Sequence, residues 1–328
     1  MKAVMIVPGE TGGRTEIQEV PRPALQADEV LVKVKAAGLN RGELIMIANA
    51  RSGPAQINGV EFAGEVVETG ADVVGFDVGQ RVMGQGRACM AQYVAISPRA
   101  LMPVPSGWSW AEAAAFPNVF VTAHDAIVSH GRLAKGESVL INAASSGIGT
   151  AAIQIAWALG ARKIIGASRS SLKLEQVRSL GLTDEIATDV SELTESVLAA
   201  TDGAGVDLII DSLGAAMFDD NLRAMAVGGR LISVGRLTGK LAEIDLDWLS
   251  LRRLEVIGVT FRTRTVEERL NCVQAAARDL SGPLERGEIR PVIDRVLPFD
   301  SIVEAHARLE SNAQVGKIVL TLEGDEAA

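Results

Sequence analysis

Residues 138–260 repeat one pattern: a short apolar run, a turn of small residues, then a helical stretch. The runs are SVLIN at 138–142, KIIGA at 163–167, VDLIID at 206–211, RLISV at 230–234 and LEVIGVT at 254–260. Nearly continuous β-branched runs separated by helices predict strands buried on both faces, which is the environment of a parallel sheet. EIAT at 185–188 is a weaker run in the same series. That makes about six strands, the complement of a full doubly wound sheet.

The first run leads into NAASSGIG at 142–149, followed by TAAIQIAWAL at 150–159. A strand that turns on small residues into a helix lets a diphosphate approach the backbone, where N–H groups and the helix dipole receive it. The candidate contacts are Ser145, Ser146, Gly147, Ile148 and Gly149. A plain tight turn is the alternative. The second run ends in ASRSSLK at 167–173, with no acid to accept from a ribose hydroxyl. Ser168, Arg169 and Lys173 instead offer hydroxyl and cationic donors suited to a 2′-phosphate. NADPH is therefore the expected cofactor, against the plainer reading of a solvated basic loop.

Before residue 118 the texture differs. Short β segments such as 30–34, 65–68 and 93–96 alternate with glycine and proline, which predicts a β-barrel-like domain. After a helix at about 267–279 the β style returns at 291–297 and 317–322, around a helix near 302–309. Residues 324–328 read as a frayed tail.

Composition narrows the function. A net charge of −9, with acids and bases interspersed, provides no basic stripe for nucleic acid. No apolar run is long enough to span a bilayer, and the N-terminus lacks a signal-peptide layout, so a cytoplasmic protein without a membrane partner is expected. Cys89 and Cys272 are far apart in sequence and form no C-x-x-C pair, which argues against a disulfide framework or a four-thiolate zinc site.

Taken in order, several segments resemble the zinc-independent quinone oxidoreductase branch of the medium-chain dehydrogenase/reductase superfamily. They are DEVLVKV at 28–34, AAGLNRGE at 36–43, GVEFAGEV at 59–66, GFDVGQRV at 75–82, VTAHDA at 121–126, RPVID at 290–294 and GKIVL at 316–320. The resemblance covers nearly the whole chain. It implies an α/β fold: a GroES-like β-barrel catalytic domain over 1–118, completed by 263–328, and a Rossmann doubly wound parallel sheet over 119–262. It also implies a homodimer that pairs the strand at 254–260 across a two-fold axis. Where zinc alcohol dehydrogenases carry ligands, this chain has Val60 and Asn40, so no metal is expected.

The implied activity is reduction of a quinone or an α,β-unsaturated carbonyl by NADPH. Another carbonyl substrate, or an NADPH-binding structural or regulatory role, are the alternatives. The resemblance places Asn40 near the nicotinamide, as a donor to the substrate oxygen or an orienter of the ribose; a turn-stabilising asparagine is the plainer reading. It further implies cofactor contacts at Thr122, Ser212, Val234, Gly235, Phe261, Arg262 and Lys317. Thr122 alone would pass as a helix-start hydroxyl. The tyrosine that several relatives carry after the G-L-N segment is absent from LIMIANARSG at 44–53, and the single Tyr93 is expected in the core. Cys89 is either a reactive thiol or, more simply, a buried filler. Glu43 and Glu61 rank below Asn40 as acid–base candidates.

Overall fold

In the computed structural model, which describes residues 1–188 and 192–322, the chain divides into two compact units. One comprises Met1–Val119, Leu270–Glu285 and Arg290–Ala328; the other comprises Phe120–Arg269 and Arg286–Ile289. The expected tail at 324–328 lies outside the described residues.

The first unit opens with β1 (Lys2–Val7), β2 (Arg14–Glu19), β3 (Val30–Gly38) and α1 (Arg41–Asn49). It continues through β4 (Gln56–Ile57), β5 (Glu61–Thr69), β6 (Arg81–Gln85), β7 (Tyr93–Ile96) and β8 (Leu101–Pro103) to α2 (Trp110–Ala115). Helix α3 (Pro117–His124) follows and runs into a π-helical turn, Asp125–His130.

The second unit alternates strictly. Strand β9 (Ser138–Asn142) leads to α4 (Gly147–Ala158), β10 (Lys163–Ser168) to α5 (Ser171–Val177), and β11 (Asp184–Ala187) to α6 (Leu193–Ala200). Strand β12 (Val206–Asp211) leads to α7 (Phe218–Ala224), β13 (Met225–Ser233) to α8 (Leu246–Leu251), and β14 (Glu255–Gly258) is followed by α9 (Val266–Glu285), which from Leu270 onward belongs to the first unit. The chain closes with β15 (Ile293–Pro298), α10 (Ile302–Glu310) and β16 (Lys317–Thr321).

The six strands of the second unit form one sheet, ordered β11-β10-β9-β12-β13-β14, in which every pairing is parallel. The order reverses beside β9, where a doubly wound sheet presents its ligand-binding edge. Strand β9 is buried along its whole length, as its uninterrupted apolar run predicts. Helix α4 presses Ala151, Ala152, Ile153, Ile155 and Ala156 inward, so small residues let its axis lie close to the sheet.

The first unit carries a seven-stranded sheet ordered β15-β16-β3-β5-β6-β8, with β7 also paired to β3, and a three-stranded sheet β2-β1-β4. Its pairings are antiparallel except for β15 with β16. Strands β3, β5 and β16 lie side by side, which brings residue 317 next to residues near 40 and 61.

Two expectations need correction. Tyr93 is half-buried rather than in the core, with the Arg22 guanidinium 4.3 Å above its ring. Thr122 sits late in α3, buried at 9% exposure, and is not a helix-start hydroxyl.

Candidate functional site

The turn after β9 is shaped by close approach. Ala143 adopts φ 53°, a left-handed conformation that reverses the chain sharply. A Cβ on Gly149 would stand 2.4 Å from the Ala143 carbonyl oxygen and 2.6 Å from that of Ala144, so glycine is required for the loop to fold back against the helix. Ser146 is the N-cap of α4, and its hydroxyl accepts from the Gly149 amide at 3.0 Å. The earlier amides of the first turn, at Gly147 and Ile148, have no acceptor within the helix. Donors thus collect at the positive end of a twelve-residue helix, next to the point where the strand order reverses.

The other loops reach the same edge of the sheet. Ser168 ends β10 and its hydroxyl accepts from the Ser170 amide at 3.4 Å, while Arg169 beside it is exposed. Lys173 lies one turn into α5, half-buried. Ser212 follows β12, and Val234 and Gly235 follow β13; both of the latter amides donate to the Asp211 carbonyl. A Cβ on Gly235 would meet the Ser212 oxygen at 2.4 Å, so these two loops touch through backbone. Past β14, Phe261 carries the Arg264 guanidinium 4.7 Å above its ring, and Arg264 donates to the buried Asp125 carboxylate at 2.8 Å. Arg262 is exposed. The structure therefore gathers residues 145–149, 168–169, 212, 234–235 and 261–262 at the C-terminal ends of five neighbouring parallel strands. Such backbone fits a dinucleotide: two close approaches are closed to any side chain, and an exposed guanidinium stands one strand from the diphosphate position.

The first unit holds a second constellation, deeply buried. Lys317 is 4% exposed, and its ammonium donates to the Leu39 carbonyl, to Asn40 Oδ1 at 2.7 Å and to Glu61 Oε1 at 2.6 Å. Those three acceptors use its three protons. Lys317, expected from resemblance as a cofactor contact, is thus engaged within its own unit. Glu61 is fully buried, and it also accepts from Asn40 Nδ2 at 2.8 Å and from the Asn118 amide at 2.7 Å. Asn118 Nδ2 donates to Asn40 Oδ1 at 2.7 Å. Asn40, N-cap of α1, makes no cap bond with its side chain. Its amide is pinned instead by Lys317, Glu61 and Asn118, and its other Nδ2 hydrogen has only long contacts, to Gly38 at 3.4 Å and Glu43 Oε1 at 3.5 Å.

Burial pushes the Glu43 carboxyl up to about 8, against the opposing pull of Lys317 and hydrogen bonds from Asn40. Burial also pushes the Cys89 thiol well up, which keeps it protonated and supports the filler reading over a nucleophile. Sequence reasoning missed the Lys317–Glu61 pair and the isolation of Glu43, since the partners come from segments more than 250 residues apart.

Two family descriptions match: "Alcohol dehydrogenase GroES-like domain" over residues 26–129 and "Zinc-binding dehydrogenase" over residues 147–275. The chain is 30% identical over 314 residues to quinone oxidoreductase-like protein 2 of Bos taurus, covering 93% of this chain and 88% of that one. It is 28% identical to acryloyl-coenzyme A reductase of Sulfurisphaera tokodaii, over 98% of this chain and 99% of that one. Similarity also extends to the spectinabilin polyketide synthase system protein NorB of Streptomyces orinoci, 33% identical over 299 residues; these are 91% of this chain but 13% of that protein. A crystal structure of an alcohol dehydrogenase superfamily protein from Novosphingobium aromaticivorans superposes with a TM-score of 0.88 at 30% identity, covering 98% of this chain and all of that one.

The zinc named in one of those descriptions does not fit this donor set. Val60 and Asn40 offer neither imidazole nor thiolate, and among the described residues no three His, Cys, Asp or Glu side chains group so as to hold a metal ion. Among the described residues no helix is long and apolar enough to cross a membrane.

Replacing Lys317 with Met would leave the Glu61 carboxylate buried without its cation. Urea denaturation should show a loss of about 3–5 kcal/mol, partly regained in the Lys317→Met, Glu61→Gln double variant. A loss below about 1 kcal/mol would show that the pair is not what holds β3, β5 and β16 together.

Proposed function

Because this chain belongs to the medium-chain dehydrogenase/reductase superfamily, we propose that it is an NADPH-dependent reductase that delivers hydride to a quinone or an α,β-unsaturated carbonyl compound, without a metal. The observation that carries the reading is the glycine-lined turn at 142–149 with exposed Arg169 one strand away.

When bound, NADPH supplies the hydride. The chain's own residues bind and orient. The head of α4, with Ser145, Ser146, Gly147, Ile148 and Gly149, receives the diphosphate, and Ser168, Arg169 and Lys173 receive the 2′-phosphate. Ser212, Val234, Gly235, Phe261 and Arg262 line the rest of the nucleotide path, with Thr122 at the nicotinamide ribose. Lys317 holds the Asn40 amide in place.

A quinone or enone is polarised by its own carbonyl, so a neutral donor to the oxygen that gains charge suffices. Asn40 is that donor. Its Oδ1 is held by two donors and one of its Nδ2 hydrogens by Glu61, which leaves one hydrogen without a short bond. Two relatives bear on the acceptor class, one named for quinones and one for acryloyl-coenzyme A, an α,β-unsaturated thioester. The purified protein should oxidise NADPH in the presence of quinones or enones from a graded panel. Tight NADPH binding with no turnover on any of them would favour a structural or regulatory NADPH-binding protein.

The partner we propose is a second copy of the chain. Among the described residues strand β14 pairs only with β13, and Glu255, Val256 and Gly258 are exposed along it, so its outer edge offers backbone groups to a symmetry mate. Light scattering at micromolar concentration should return twice the chain mass; a single chain mass would overturn the dimer.

A further inference from the structure

Two fully buried carboxylates, Glu43 and Glu61, lie near one buried ammonium, and the hydrogen bonding divides them unequally. All three Lys317 protons go elsewhere than Glu43: to the Leu39 carbonyl, Asn40 Oδ1 and Glu61 Oε1. The side-chain contact to Glu43 Oε1 is a long one, 3.5 Å from Asn40 Nδ2, and among the described residues its Oε2 has no hydrogen-bond partner. The atom facing Oε2 is His306 Nε2 on α10, 4.0 Å away, and it too is buried without a hydrogen-bond partner among the described residues. A buried carboxylate with neither cation nor donor on one oxygen is costly, while a carboxylic acid there is not. One proton on Oε2, turned toward the imidazole, gives both orphaned atoms a partner after a small closure of the gap.

We propose that Glu43 is a positioning residue: it keeps a proton and so leaves the second amide hydrogen of Asn40 to the substrate oxygen. This rests on the role of Asn40 proposed above. A neutral carboxyl oxygen is a weak acceptor, so at 3.5 Å it competes poorly for that hydrogen. An ionised Glu43 draws the amide onto itself, and the donor is lost to the substrate. The groups facing Glu43 are Lys317 from β16, Glu61 from β5, His306 from α10 and Cys89. Lys317 favours the ion, Glu61 opposes it, and burial keeps Cys89 and His306 uncharged near neutrality. Burial lowers His306 to about 4, so the imidazole offers Glu43 an acceptor and not a cation. The neighbouring Arg41 is turned to the Leu309 carbonyl and Asn312.

The Glu43→Gln variant fixes the neutral form. With the quinone or enone that the wild type reduces, wild-type kcat/KM should fall about tenfold or more as pH rises past about 8. In Glu43→Gln that alkaline fall should be absent; an identical fall in both proteins would overturn the inference.

A second readout needs no substrate. Glu43 is raised in the folded state, so its contribution to stability is full below its unfolded value and is lost as pH rises toward about 8. Wild type should therefore lose denaturation midpoint across that window relative to Glu43→Gln. Infrared spectroscopy of the wild type should show a buried carboxylic acid band at neutral pH that disappears on titration above 8. Parallel stability profiles, or no such band, would refute the protonated Glu43 while leaving the reductase reading intact. Failure of every acceptor, with the band present, would refute the reductase reading alone.

Discussion

The tight turn from β9 into α4 depends on close approach of backbone to backbone, and it sets the first amides of the helix at the edge where the strand order reverses. Gly149 faces two carbonyls closer than any Cβ tolerates, and Ala143 accepts a left-handed turn so that the chain can reverse there. The parallel sheet supplies the rest. Strands β10, β12, β13 and β14 end at the same edge as β9, so every loop that follows them converges on one line. The contact of Gly235 with Ser212 is another place where glycine removes an obstacle at that edge.

The first unit solves a different problem, the burial of charge. One ammonium, two carboxylates and the Asn40 side chain lie away from water, with half-buried Asn118 bonded to them, and the arrangement closes because each donor of Lys317 finds an acceptor. Its consequence is orientation. Asn40 cannot flip its amide without breaking bonds to Lys317, Asn118 and Glu61, so its oxygen and nitrogen are assigned by the network. The two orphaned atoms at Glu43 and His306 mark where the closure is incomplete, and the protonation of Glu43 completes it.

Much of the architecture could be read from residues. Strands at 93–96, 138–142 and 206–211 stand where their apolar runs place them, because β-branched residues bounded by turns leave little choice of register. Strand β13 begins at Met225, five residues before its apolar run, and its pairing with β12 is irregular between Met225 and Arg230, where Gly228 turns to φ 78°. What local pattern could not show was long-range pairing. Lys317 read as a possible ligand contact, yet its partners are Asn40 and Glu61 from distant segments. Glu43 read as an acid–base candidate ranked below Asn40; only the packing of α10 over α1 shows that its Oε2 faces His306 Nε2 at 4.0 Å, neither atom having a hydrogen-bond partner among the described residues. The Arg264–Asp125 bond beside a π-helical turn was equally hidden, since π-turns have no dependable sequence signal.

The measurement closest to the core of this account is calorimetric titration of the folded protein, and of its Arg169→Ala variant, with NADPH and with NADH. Wild type should bind NADPH more tightly than NADH by about tenfold or more, and the variant should lose most of that difference through weaker NADPH binding alone. No nicotinamide nucleotide binding to well-folded protein, or an equal loss for both nucleotides in the variant, would contradict it.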